Sequence, residues 1–493
     1  MASNVTALHD DVRVACSGAL RSFSASGSGP LIFAMCGIFV TTDRMTLSQQ
    51  ALIERCLQRR GTEKVVWQST ESGCLLAHCL LPIRGNAPVL QPLDVGDGRL
   101  LLYSGELWDV ESGRSDSIEL ANRIGAFGIK RTIVRSQGMW ALVMVDRRRQ
   151  EVSFCTDVMG EQPLHYAAVG CHIAVASEVK TLVAAGLPLS AIFHVQPGVL
   201  YKFNGALETT RYAAAHSRNR WKTFHVEALR ARIADAVRSH VLSVDLQQTG
   251  VLLSGGIDST IIAWHASQFG IRKAWTIAVH KRAPDVIAAK EVAERFGLEW
   301  ECLCCEPRPV ELGVVAAEVV NRSVLEECCL HIALARHLAG CGIRVVLTGS
   351  GADELFVGYA HLFRRMPKEQ LQQRFVNEYF KLDLRAMNKV YGGSAVEVRN
   401  PFLHPAVVRY ALGLHASVLV GPKMVLKWPL RKAYADILDG ERTGPKRIAR
   451  ETMGARAWFA ARYPEGARVF HPLWRGIMGD PQRILQTLSM IDS

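Results

Sequence analysis

The segment Ser254-Gly255-Gly256-Ile257-Asp258-Ser259-Thr260 holds the residue types that grip a polyphosphate and its metal. Its two glycines let backbone N–H groups close around an anion without Cβ interference. Ser254, Ser259 and Thr260 add hydroxyl donors. Asp258 is a carboxylate of the kind that takes Mg²⁺ in a metal–pyrophosphate complex. No Gly-Lys-Ser/Thr follows, so this is not the Walker-type loop of kinases and GTPases.

Such a loop needs a strand before it and a helix after it. The apolar run ending at Leu253 reads as a buried parallel strand, and Ile261-Ile262-Ala263-Trp264 opens a helix whose N-terminal dipole end faces the loop. Further apolar strands are expected at 273–279, 300–304 and 344–347, alternating with long helices. That pattern predicts an α/β domain with a parallel sheet over 224–493. Residues 36–204 read differently, as short alternating strands, one of them Arg99 to Tyr103, with helices near 47–57 and 117–124. A β-rich sandwich with helices outside is the expectation. Residues 205–223 read as a linker and 1–35 as a Ser/Ala/Gly-rich extension.

The 493 residues are enough for two substantial domains, and 49% hydrophobic with 21% charged residues describes a folded chain. The longest apolar runs fall far short of a membrane span, so no membrane partner is expected. The net charge of +12 admits nucleic acid or a site for ATP and pyrophosphate. The basic residues are scattered, with short knots at Arg147-Arg148-Arg149 and Arg364-Arg365. No nucleic-acid partner is expected. Thirteen cysteines follow no regular framework, and Cys302, Cys304, Cys305, Cys328, Cys329 and Cys341 crowd one region. Neither Cys302-Leu303-Cys304-Cys305 nor Cys328-Cys329 has the spacing of a zinc knuckle, and small buried thiols are the expected reading.

In context, S-G-G-x-D-S after an apolar strand resembles the PP-loop of the ATP pyrophosphatases. From Cys36 onward the chain resembles a glutamine-dependent asparagine synthetase, and among these the asparagine synthetase domain-containing proteins. The motifs are Cys36-Gly37-Ile38, Arg60-Gly61-Thr62, Leu76-Ala77-His78, Gln91-Pro92-Leu93, Ser104-Gly105-Glu106, Ser115-Asp116, Ala176-Ser177-Glu178, Thr348-Gly349-Ser350-Gly351-Ala352-Asp353-Glu354, Glu397-Val398-Arg399 and Lys423-Met424 with Lys427. The resemblance implies an Ntn-type αββα glutaminase domain followed by a PP-loop domain. It also implies ATP and Mg²⁺ as cofactors, glutamine and a carboxylate as substrates, and a cytoplasmic location, with a mitochondrial transit segment as the alternative.

By resemblance Cys36 is the nucleophile, activated by its own α-amine once Met35 and everything before it are absent. Gly105 supplies an oxyanion N–H and Asp116 holds the substrate α-ammonium. Leu253, Ser254, Gly255, Gly256, Asp258, Ser259, Gly349 and Ser350 form the nucleotide site. Asp258 and Asp353 take the metal, and Lys427 stabilises the leaving pyrophosphate. The departures are local. Ser104 replaces the family's oxyanion Asn, and Leu80 stands where an Arg clamps the glutamine carboxylate, with Arg84 the nearby cation. Ser350 replaces a Glu on the acceptor side, and Glu326-Glu327 fall near an expected Thr-Thr-x-Arg, with Arg322 adjacent. Glu397 matches the Glu of the Tyr–Glu pair in β-lactam synthetases, though Ser350 is no phenol. These changes predict impaired glutamine hydrolysis and an acceptor other than plain aspartate. The alternative is a non-catalytic or regulatory protein that keeps the fold.

Overall fold

A computed structural model describes residues 36–83, 88–111, 113–214, 223–242, 244–359, 372, 376, 380–438, 453–463 and 470–492. The expectations for the N-terminal extension, Met35, Arg84, the Arg364-Arg365 knot and residues 215–222 of the linker lie outside them.

The first half is two facing antiparallel sheets of six strands each. One runs Phe193–His194, His165–Val169, His172–Ala176, Gly37–Thr41, Leu75–Cys79, Val66–Ser69; the other runs Leu207–Arg211, Val199–Phe203, Val152–Thr156, Gly138–Asp146, Arg99–Leu107, Leu93–Asp94. Strand periodicity places the core: Leu100 and Leu102 pack with Ile38 and Val40 between the sheets. Leu101 and Tyr103 point the other way, against Ile124 and Ile133 of the helices Asp116–Phe127 and Ile129–Arg135. Phe39 and Ala77 face the helices Leu47–Leu57 and Val179–Ala184. The layering is αββα, as an Ntn-type fold requires.

The second half is a five-stranded parallel sheet ordered Glu299–Cys304, Lys273–Ala278, Thr249–Leu252, Val345–Leu347, Glu397–Arg399. The helices Val226–Val241, Ile257–Gln268 and Pro284–Phe296 cover one face. Val310–Ala317, Arg322–Gly340 and Phe380–Gly392 cover the other. The core on that second face is continuous with the one beneath the glutaminase helices, so the halves share packed apolar surface.

Three differences from the sequence reading bear on function. The strand expected to end at Tyr103 runs on to Leu107, which puts Ser104, Gly105 and Glu106 inside it. Residues read as the start of a linker include the strand Leu207–Arg211, hydrogen-bonded to Val199–Phe203. Glu397–Arg399, read only as a motif, is the fifth parallel strand. Of the clustered cysteines, Cys328 and Cys329 are buried as expected, Cys302, Cys304 and Cys305 are half-buried, and Cys341 is exposed.

Candidate functional site

The central strand Thr249–Leu252 delivers the chain into the Gly-rich loop, and the helix Ile257–Gln268 leaves it. Gly255 has φ +70°, and a Cβ there would lie 2.4 Å from the Ala288 carbonyl carbon, so only glycine fits. The serine hydroxyls brace the turn: Ser254 Oγ lies 3.1 Å from Ser259 Oγ, which also accepts from Ser254 N at 3.2 Å. The 349–351 turn crosses directly over this loop, since a Cβ on Gly349 would meet Asp258 Cβ at 2.7 Å.

Lys427 Nζ sits between Asp258 and Asp353, 2.6 Å from Asp353 Oδ1. Lys427 has φ +54° and precedes the helix Trp428–Ala433, a left-handed backbone that costs energy for any residue but glycine. Gly358 closes over the triad, because a Cβ there would overlap Asp353 Oδ1. Asp258 Oδ1 is buried without a hydrogen-bond partner. Two carboxylates converging beside a phosphate-type loop, one with an unsatisfied buried oxygen, fit a hard divalent cation such as Mg²⁺.

The second site is a partly open cavity at the end of the sandwich. Cys36, Ser104, Gly105, Asp116, Leu80 and Glu397 are all on its wall. Register explains the gathering: Cys36 continues the face of Ile38 and Val40, while Ser104 and Glu106 continue that of Leu100 and Leu102. Cys36 Sγ lies 3.4 Å from Leu81 N. Burial pushes its thiol up to about 12, with Glu397 and Asp116 adding to the rise. Ser104 Oγ donates to the Cys36 carbonyl oxygen at 3.2 Å. Gly105 adopts φ +127°, and a Cβ there would lie 2.0 Å from Met139 O, leaving no room for a side chain. Asp116 accepts from Tyr103 Oη at 3.1 Å and from Ser117 N at 2.8 Å. Leu80, Leu81, Pro82, Ile83, Pro88 and Val89 make the apolar wall.

Comparison with known families identifies both halves. The profile described as glutamine amidotransferase domain matches residues 35–196, and the one described as asparagine synthase matches 228–376 and 365–463. The chain belongs to the glutamine-hydrolysing asparagine synthetase family. It is 24% identical to asparagine synthetase [glutamine-hydrolyzing] 3 of Arabidopsis thaliana, over 82% of this chain and 75% of that one. It is 26% identical to asparagine synthetase B of Escherichia coli K12, over 77% of this chain and 75% of the relative.

Within this asparagine synthetase-type chain, the one site residue found away from the company given it by sequence is Glu397. It had been matched to a dyad on the acceptor side of the PP-loop. The strand Glu397–Arg399 runs parallel to Val345–Leu347 with Glu397 opposite Val345, at the N-terminal edge of the sheet. The PP-loop leaves the C-terminal edge, and Glu397 faces the Cys36 cavity instead. There Arg399 holds it, with Nε 2.6 Å from Glu397 Oε1 and Nη2 3.0 Å from Glu106 Oε1. Arg322 also proves committed elsewhere, bonding Glu326 at 2.6 Å along its own helix.

Sequence reasoning gave no role to the buried ions that join the halves. Arg60 Nε donates to the Cys36 carbonyl at 3.2 Å while its Nη1 pairs with Glu178 at 2.8 Å. Glu318, from the synthetase half, accepts from Val179 N and Lys180 N at 2.9 and 2.8 Å and pairs with Lys389 at 2.6 Å. A synthetase carboxylate thus caps the N-terminus of a glutaminase helix. Arg60, Glu178 and Arg399 stood in quoted motifs, which was the available signal. Glu318 and Lys389 stood in none.

Proposed function

We propose that this protein is an ATP-dependent amide ligase whose acceptor is a carboxylate other than free aspartate and whose glutaminase half is weakened. The observation that carries the reading is the cationic side chain of Lys427 held between Asp258 and Asp353 beside a braced, glycine-limited phosphate loop. The acceptor carboxylate attacks the α-phosphorus of ATP and pyrophosphate leaves. Ammonia then attacks the activated carbonyl and AMP leaves. Asp258 and Asp353 would hold Mg²⁺, which would supply charge neutralisation for the departing pyrophosphate. The backbone N–H groups at 254–256 and the serine hydroxyls orient the phosphates. Lys427 meets the charge that develops on the departing group, the kind of interaction worth most where water is excluded.

Two observations support the altered acceptor. Ser350 is exposed and its N–H is tied to Thr348 Oγ1 at 3.1 Å, so the turn offers no carboxylate of its own. The nearby cation, Arg322, is paired with the buried Glu326. Three support a weak glutaminase: the Leu80 wall, the Ser104 hydroxyl turned to Cys36's own carbonyl, and the desolvated thiol. Losing one oxyanion donor typically costs about 100- to 1,000-fold in turnover. The test supplies ammonia and Mg-ATP with aspartate or a panel of other carboxylates and measures AMP and amide. Aspartate turnover of roughly one per second would overturn the acceptor reading.

A further inference from the structure

The outermost strand of the parallel sheet, on the edge opposite Glu397–Arg399, carries a second kind of chemistry. His337 stands in the last turn of the helix Arg322–Gly340, and Cys341 caps that helix, so the two are one turn apart on one face. Glu301 comes from the edge strand Glu299–Cys304. Glu301 Oε1 lies 2.8 Å from His337 Nε2, and Cys341 Sγ lies 3.7 Å from that same nitrogen. One atom of each residue falls within 4.8 Å of the others. An imidazole nitrogen, a carboxylate oxygen and a thiol sulfur thus converge on one point, a donor set of the kind that takes a transition metal. An ion at the centre can be reached by all three. The other carboxylate oxygen, Glu301 Oε2, accepts from Trp275 Nε1 at 3.0 Å, which fixes the carboxylate as outer partners fix metal ligands.

We propose that the protein binds one Zn²⁺ at Glu301, His337 and Cys341. Tetrahedral Zn²⁺ with bonds of about 2.0–2.3 Å holds its ligand atoms about 3.3–3.6 Å apart. The sulfur–nitrogen gap of 3.7 Å is about 0.1 Å wider than that range. The oxygen–nitrogen gap is a hydrogen bond, and it opens by about half an ångström when the ion replaces the proton. Binding releases the thiol proton of Cys341 and requires His337 Nε2 unprotonated. Nitrogen and thiolate ligands select Zn²⁺ over the hard Mg²⁺ suited to Asp258 and Asp353. Three protein ligands leave the fourth position to water, and the ion clips an edge strand to the end of a helix.

Co²⁺ titration of the metal-stripped full-length protein, followed by absorption, tests this independently of any ligase activity. The expected result is one equivalent bound, with the thiolate-to-cobalt charge-transfer band and tetrahedral visible bands, displaced by Zn²⁺ but not by Mg²⁺. Cys341→Ser removes the charge-transfer band, and His337→Gln weakens binding at least about tenfold. Cys302→Ser, and the same change at the exposed Cys171 of the turn before His172–Ala176, leave both unchanged. The unfolding temperature rises with Zn²⁺ in the native chain and not in Cys341→Ser. Absence of saturable binding, or a charge-transfer band that survives Cys341→Ser, overturns the proposal.

Discussion

Lys427 joins two carboxylates beside the phosphate loop through a single ammonium, from a backbone in the left-handed region. Replacing it with Met keeps the stem and removes the charge. The expected loss in acceptor-dependent pyrophosphate release is about 100- to 1,000-fold, with the fold intact by circular dichroism. A loss under threefold would remove Lys427 from the chemistry. Cys36 makes a different statement. A thiol pushed up to about 12 by burial is almost wholly protonated at neutral pH, with roughly a thousandth of the thiolate of an ordinary cysteine. Iodoacetamide labelling read by peptide mass spectrometry is therefore expected to be slow at Cys36 at pH 7, rising about tenfold per pH unit up to pH 10. A labelling rate that plateaus near neutrality would mean that a base relieves the burial.

The loops and strands that hold these residues show how steric limits become functional ones. Gly255→Ala puts a methyl into the Ala288 backbone at a positive φ, so the phosphate loop must open. Its expected cost is about 1–3 kcal/mol in strain at the loop, read as weaker ATP binding by calorimetry with a near-native unfolding transition elsewhere. Unchanged ATP affinity would show that the loop's shape is not what binds. The strand–loop–helix at 249–268 was legible in the sequence because glycine, hydroxyl and apolar residues all point to one local structure. The helix expected at 47–57 appears at Leu47–Leu57. The extension of the Arg99–Leu107 strand was not legible, since Ser104-Gly105-Glu106 lacks strand propensity and is held by its neighbour Gly138–Asp146. Glu397 was misplaced for a related reason. Motif matching says nothing of which edge of a sheet a residue occupies, and parallel register decides that.

At the scale of the molecule, the halves are locked by buried ions as well as apolar packing. Burial pushes Glu318 up, but Lys180 and Lys389 outweigh it and hold the carboxyl down to about 2. Glu318 therefore contributes stability above its unfolded range near pH 4.5, lost as pH falls toward 2. Glu318→Gln leaves two buried lysines short of a partner and is expected to cost about 3–5 kcal/mol in urea unfolding at pH 7, flattening the acid limb of the stability profile. A cost below about 1 kcal/mol would mean the junction carries little energy. The Glu318 cap could not be read from residue types, because its backbone partners Val179 and Lys180 lie more than a hundred positions away. Among the described residues no helix is long and apolar enough to cross a membrane.

The central claim is that the braced loop and the Asp258–Lys427–Asp353 triad activate a carboxylate with ATP. Exchange of radiolabelled pyrophosphate into ATP, measured with Mg²⁺ across a panel of carboxylates, tests it most directly. Exchange that depends on one class of carboxylate, exceeds that with aspartate, and disappears in Asp258→Asn is the expected result. Exchange independent of any carboxylate, or equal in the native chain and Asp258→Asn, would contradict the claim.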